Sequence, residues 1–216
     1  MKAILYTEKL AFGEVNLIKG DISMGNWYGN IEPLESYYYN LQKPIQDFWK
    51  RAPDYSILEQ LRINILLENG IFLNFRGFTI IDMVDFPNEP IRLDIVGADP
   101  YLFTIKDDFF KEPWHKIQIS QKIHFEDQLL KETCHNHLLS GTKYSVLANN
   151  TMICDTLFAI IEPNEQIKSL GNYFTVHLTY STNNYNGFPY VNFYESLEHF
   201  YHACMIKDSI DFNEPS

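Results

Sequence analysis

Leu61-Arg62-Ile63-Asn64-Ile65-Leu66-Leu67-Glu68-Asn69-Gly70-Ile71-Phe72-Leu73-Asn74-Phe75 is the stretch on which the fold is read. Leu61, Ile63, Ile65 and Leu67 fall at every second position, Asn69-Gly70 interrupts, and Ile71, Leu73 and Phe75 resume the alternation. Successive side chains of a strand point to opposite faces, so this period belongs to strands with one buried face. Asn-Gly suits a type I′ turn, whose two central residues both need φ > 0. The stretch predicts a β-hairpin and, with it, an antiparallel sheet.

Downstream, residues 77–84 continue the sheet with a bulge at Gly77, Phe86-Pro87-Asn88-Glu89-Pro90 interrupts it, and residues 91–96 form another strand. Upstream, residues 3–10 and 14–24 read as strands around a turn at Gly13, and residues 25–30 as a loop with two glycines. Between these lies a helical stripe of Leu34, Tyr37, Tyr38, Leu41, Ile45, Phe48 and Trp49. Pro33 fits its first position, and Pro44 predicts a kink or a break into two helices.

The second half is less regular. Residues 116–125 read as a strand, 125–139 as a helix, 146–161 as strands around Asn149-Asn150, and 173–180 as a strand. Residues 181–187 form a polar turn region, and 195–205 a helix burying Leu197, Phe200, Tyr201 and Cys204. Residues 208–216 are polar enough to remain unordered. The expected class is α+β, a mainly antiparallel sheet with hairpins packed by two to four helices. All 216 residues are expected in a single domain, any subdivision falling near residues 97–108.

With 45% apolar and 15% aromatic residues, core material is plentiful. Seventeen Lys and Arg against 28 Asp and Glu leave a net charge of −11. That field repels a phosphate backbone and an anionic membrane, so neither is an expected partner. It attracts a basic protein, although the same charge also simply maintains solubility. Cys134, Cys154 and Cys204, an odd set without Cys-x-x-Cys, read as reduced thiols. With charge close to the N-terminus and no apolar run near the ~18 residues of a membrane span, the expected location is the cytoplasm.

No glycine-rich phosphate loop, Gly-x-Ser-x-Gly, His-Glu-x-x-His or calcium loop occurs, so no cofactor is predicted. Cys134-His135-Asn136-His137 places a thiol near two imidazoles; on a helix only Cys134 and His137 would share a face. His199 and His202 have the spacing of two metal ligands, and equally that of the polar face of an amphipathic helix. Cys154-Asp155 precedes an apolar run and reads as a small core thiol. Carboxylates gather at Asp82, Asp85, Glu89 and Asp94, and again at Asp107, Asp108 and Glu112. The first group surrounds a proline-bounded loop, a position suited to contact with a basic partner, and Asp82, Asp85 and Glu89 are its candidate contact residues.

Ser23-Met24-Gly25, followed by Gly29, Pro33 and Tyr37 and later by Asp85-Phe86-Pro87, resembles a stretch in small bacterial proteins. In those a Ser-Met-Gly loop runs into a helix and an Asp-Phe loop precedes a strand. They are similar in character to the immunity proteins that neutralise bacterial toxins. The resemblance implies kinship of fold and supplies no catalytic residue. The charge of −11, the missing catalytic signatures and the surplus of aromatics are what lead to the expectation of an immunity protein occluding a basic toxin domain. The competing expectation is a hydrolase or metal-dependent enzyme using His199 and His202, or Cys134 and His137. A third is a subunit of a larger assembly, with Tyr37-Tyr38-Tyr39 as its interface.

Overall fold

Two antiparallel sheets organise the chain, one in residues Met1–Ile105 and one in Lys106–Ser216, the two units into which its contacts divide. The structure is a computed structural model and describes residues 1–21, 23–50, 55–181 and 188–213. The class is α+β, as the hairpin pattern predicts. Among the described residues no helix is long and apolar enough to cross a membrane.

The first unit runs β1 (Lys2–Thr7), β2 (Leu10–Asn16), β3 (Ile18–Lys19), β4 (Trp27–Pro33), α1 (Glu35–Asn40), α2 (Gln42–Lys50), α3 (Tyr55–Gln60), β5 (Ile63–Leu67), β6 (Gly77–Ile81) and β7 (Arg92–Val96). Its strand order is β5-β1-β2-β4-β7-β6, with β3 beside β4. The predicted alternation appears as burial: Ile63, Ile65 and Leu67 are buried, Asn64 and Leu66 only partly. The turn differs from expectation. Only Gly70 takes a positive φ, of 76°. Asn69 is instead a buried strut, its amide donating to the Leu102 and Ile105 carbonyls at 2.9 and 3.0 Å. The return limb bonds back through Leu73 N–H to the Ile65 carbonyl, but Ile71, Phe72 and Leu73 are all buried, so it is enclosed on both sides and forms no regular strand.

Other local expectations shift for identifiable reasons. The β1–β2 turn falls at Glu8-Lys9, while Gly13 lies inside β2, where a Cβ would come within 2.7 Å of Ile31 Cγ2. The expected loop 25–30 and the expected long strand 14–24 are both revised: β2 ends at Asn16, and β4 starts at Trp27, just past Gly25. Ser23-Met24-Gly25 therefore leads into a strand. Pro33 closes β4 rather than opening the helix, and Leu34 becomes the N-cap. The break forced by Pro44 falls at Leu41; a continuous helix would drive the proline ring against the Asn40 carbonyl. Tyr37, Leu41, Ile45 and Phe48 are buried, whereas Leu34 and Tyr38 are exposed. The register from Gly77↔Val96 to Ile81↔Arg92 runs without a shift, so Gly77 carries no bulge.

The second unit comprises β8 (Trp114–Lys116), α4 (Ile119–Glu132), β9 (Lys143–Asn150), β10 (Asp155–Glu162), β11 (Tyr173–His177), β12 (Val191–Tyr194), α5 (Leu197–Phe200), a π-helical turn Tyr201–Met205, and α6 (Ile206–Asn213). Strands run in the order β12-β11-β10-β9-β8. Phe125 and Leu129 of α4 pack with Val146, Phe158, Phe174 and Val176. The Phe200 ring meets Trp114 at 5.0 Å and Tyr194 at 5.3 Å. Those two rings come from opposite edge strands, so the sheet curls around the C-terminal helix. The expected strand 116–125 is overturned, because Gln121 accepts from the Gln118 N–H and starts α4 at its first turn. The expected helix 125–139 ends at Glu132. Residues 208–213, expected to be unordered, extend the last helix, and the expected turn 181–187 lies almost wholly outside the described residues.

Candidate functional site

The helix-free face of the first sheet can be read from its register. Ile4, Glu14 and Glu32 lie in one row across β1, β2 and β4. Tyr28, Asp94 and Thr79 form a second row across β4, β7 and β6, and Asn30, Arg92 and Ile81 a third. Residues of these rows are exposed or half-buried, while their strand neighbours Leu5, Val15, Ile31, Leu93 and Ile80 are buried. Glu14 and Glu32 face each other directly and both are exposed. No cation among the described residues lies within ion-pair distance of either. Like charges directly opposite cost stability, and Lys2, which lines a small pocket with both, forms no ion pair with either.

The loop joining β6 to β7 overhangs the same face. At its base Asp82 accepts from the Tyr37 hydroxyl at 2.8 Å, from Gln42 at 3.3 Å and from Gln46 at 3.1 Å. All three donors are neutral, so they hold the carboxylate in place without cancelling its charge. Burial, and then Asp82 itself, pushes the Tyr37 hydroxyl above its ordinary value, which keeps it a donor. Two successive turns shape the rest, Phe86 N–H to the Met83 carbonyl at 3.0 Å and Glu89 N–H to the Phe86 carbonyl at 3.1 Å. Asp85 and Glu89 are exposed, as are Val84 and, at 59%, Phe86.

Beneath the loop lies a cavity of about 290 Å³. Its walls are apolar at Ile81, Met83, Phe86 and Pro90, and its polar groups are Asn30, Asp82, Glu89 and Arg92. Arg92 is already engaged: its guanidinium meets Asp94 at 2.8 Å and sits 4.8 Å above the Tyr28 ring. The three contact carboxylates expected from sequence thus share one loop, with different roles. Asp82 is an anchor at the base, Asp85 is exposed, and Glu89 is exposed while also lining the cavity. Glu14, Glu32 and Arg92 were not singled out by the sequence, and Phe86 only as part of the Asp85-Phe86-Pro87 resemblance; the alternation of β2 and β4 was the available signal for the first two.

The enzyme candidates fare differently. His137 is buried, and its Nε2–H donates to the Pro189 carbonyl at 2.9 Å while its Nδ1 accepts from the Leu139 N–H at 3.1 Å. Both nitrogens are occupied, so the ring pairs with no Cys134 thiol and has no lone pair left for a metal. His199 and His202 are exposed, the first in α5 and the second within the π-helical turn that follows it. Among the described residues no group of three or more His, Cys, Asp or Glu is placed to hold a metal ion. Cys154 is exposed, against the expectation of a core thiol, and Asp155 beside it pairs with His177 at 2.8 Å. Burial, then Asp208, pushes the Cys204 thiol up to about 12. Of the tyrosine run, Tyr37 is buried at the base of the loop, while Tyr38 and Tyr39 are exposed.

Negative charge is shared between the two units, nine Lys and Arg against fourteen Asp and Glu in residues 1–105, eight against fourteen in 106–216. Both units pair some of it: Asp47 meets Lys50 and Asp94 meets Arg92 in the first, and Asp107, Asp108, Glu126, Glu162 and Glu165 each meet a lysine in the second. Among the described residues Asp85, Glu89, Glu14 and Glu32 meet no cation. No protein-family model, curated protein or solved structure matches this chain.

Proposed function

We propose that the protein is a binding protein that occludes a basic partner, most specifically an immunity protein acting on a toxin domain. One observation carries the reading: Asp85, Phe86 and Glu89 project from a loop whose base is pinned through Asp82 to Tyr37, Gln42 and Gln46. A pinned loop loses little entropy on binding, an exposed aromatic supplies an anchor, and unpaired carboxylates steer a cationic surface into contact. Glu14 and Glu32 extend the negative field across the adjoining sheet face.

The test is calorimetric titration against any toxin domain encoded beside the gene, over a series of salt concentrations. A complex is expected that weakens as salt rises, and Asp85→Asn with Glu89→Gln should slow association. Absence of any complex at low salt would reject the reading.

A further inference from the structure

Resting on that reading, we infer that the cavity beneath the 82–91 loop receives one arginine side chain of the partner. At about 290 Å³ the cavity lies just under the ~300–1,000 Å³ typical of small-molecule sites, a size suited to a single long side chain. Its walls and its charge fit that occupant together. Ile81, Met83, Phe86 and Pro90 offer apolar surface to a methylene stem, and Phe86 offers a ring to a planar guanidinium.

The charge inside is negative in effect. Arg92 would repel an incoming cation, but Asp94 neutralises it at 2.8 Å and Tyr28 holds it from below. Asp82 is held by neutral donors alone, so among the described residues no counter-charge meets it. Glu89 lines the same cavity with no ion pair among the described residues. A guanidinium has donors enough to reach both carboxylates and the Asn30 amide oxygen, with a planar spread that the compact ammonium of lysine lacks. A neutral side chain of the same shape would leave two carboxylates partly desolvated without a counter-charge.

The probe is N-acetyl-arginine methylamide, titrated into the full chain and followed by backbone amide NMR shifts. The neutral citrulline and the lysine analogues serve as comparisons. Saturable shifts are expected at Ile81, Phe86 and Glu89 with the arginine compound, weaker ones with lysine and none with citrulline. Glu89 is exposed, so Glu89→Gln should fold normally and weaken the arginine compound about tenfold, the loss of one charge-assisted contact. Equal binding of citrulline or lysine, shifts that map elsewhere, or no saturation would overturn the assignment. The two readings fail separately. A toxin complex unaffected by Glu89→Gln, together with a silent arginine titration, removes this inference alone. A saturating arginine titration without any toxin complex keeps the cavity assignment and removes the toxin.

Discussion

Strand β7 in the first sheet buries Leu93 and Ile95 and leaves Arg92, Asp94 and Val96 exposed or half-buried. Strand β10 in the second buries Thr156, Leu157, Phe158 and Ala159 in unbroken succession. The first pattern belongs to a sheet with helices on one face, the second to a sheet enclosed on both. The difference extends to the charges. In the second unit carboxylates serve the fold: Glu132 accepts from Thr179 and Tyr180, and Asp208 accepts from Trp114 at 2.7 Å and Asn150 at 3.1 Å. In the first, among the described residues, Glu14, Glu32, Asp85 and Glu89 around the open face make no ion pair or side-chain hydrogen bond. A surface free of structural duty is free to recognise something else.

The largest expected effect tests the enclosed sheet. Phe158 is fully buried and stacks on Phe174 at 5.2 Å, so Phe158→Ala should cost about 3–5 kcal/mol in urea unfolding. A loss below about 1 kcal/mol would mean that the second core repacks freely. Next comes Asp208→Ala, which strands the indole N–H of Trp114 and the amide of Asn150, both almost completely buried. Each orphaned donor costs about 1–3 kcal/mol.

The same variant has a chemical readout. Asp208 raises the Cys204 thiol, so removing it lowers that value and increases the thiolate fraction at pH 8. Alkylation followed by mass spectrometry should find exposed Cys154 modified and Cys204 protected in the parent, with Cys204 modified faster in Asp208→Ala. The smallest effect has the opposite sign and belongs to the open face. Glu14→Gln relieves the repulsion with Glu32 and should stabilise the protein by about 0.2–1 kcal/mol, measured by urea unfolding at low salt. Destabilisation instead would give Glu14 a structural role and weaken the contrast between the sheets.

Much of the first sheet was legible because its signal is local. The alternation through Ile63, Ile65 and Leu67 needs no information beyond the strand itself, and the apolar run ahead of Glu162 likewise announces a strand covered on both sides. The turns were less legible. Asn69 looked like half of a type I′ turn, but its amide is drawn into bonding the carbonyls of Leu102 and Ile105, partners far along the chain. Cys134 and His137 stayed open as a candidate pair for the same reason: nothing near them in sequence shows that the Pro189 carbonyl closes off the ring.

By itself, the sequence determined the α+β class, the acidity and the gathering of Asp82, Asp85 and Glu89 around one proline-bounded loop, since composition and period are properties of contiguous residues. Only the tertiary structure decided which carboxylates are spoken for. Tyr37, Gln42 and Gln46 reach Asp82 from the helices, Asp94 neutralises Arg92, and β2 and β4 bring Glu14 opposite Glu32. A charge becomes structural or available through its neighbours in space, and those come from segments that the linear order keeps apart.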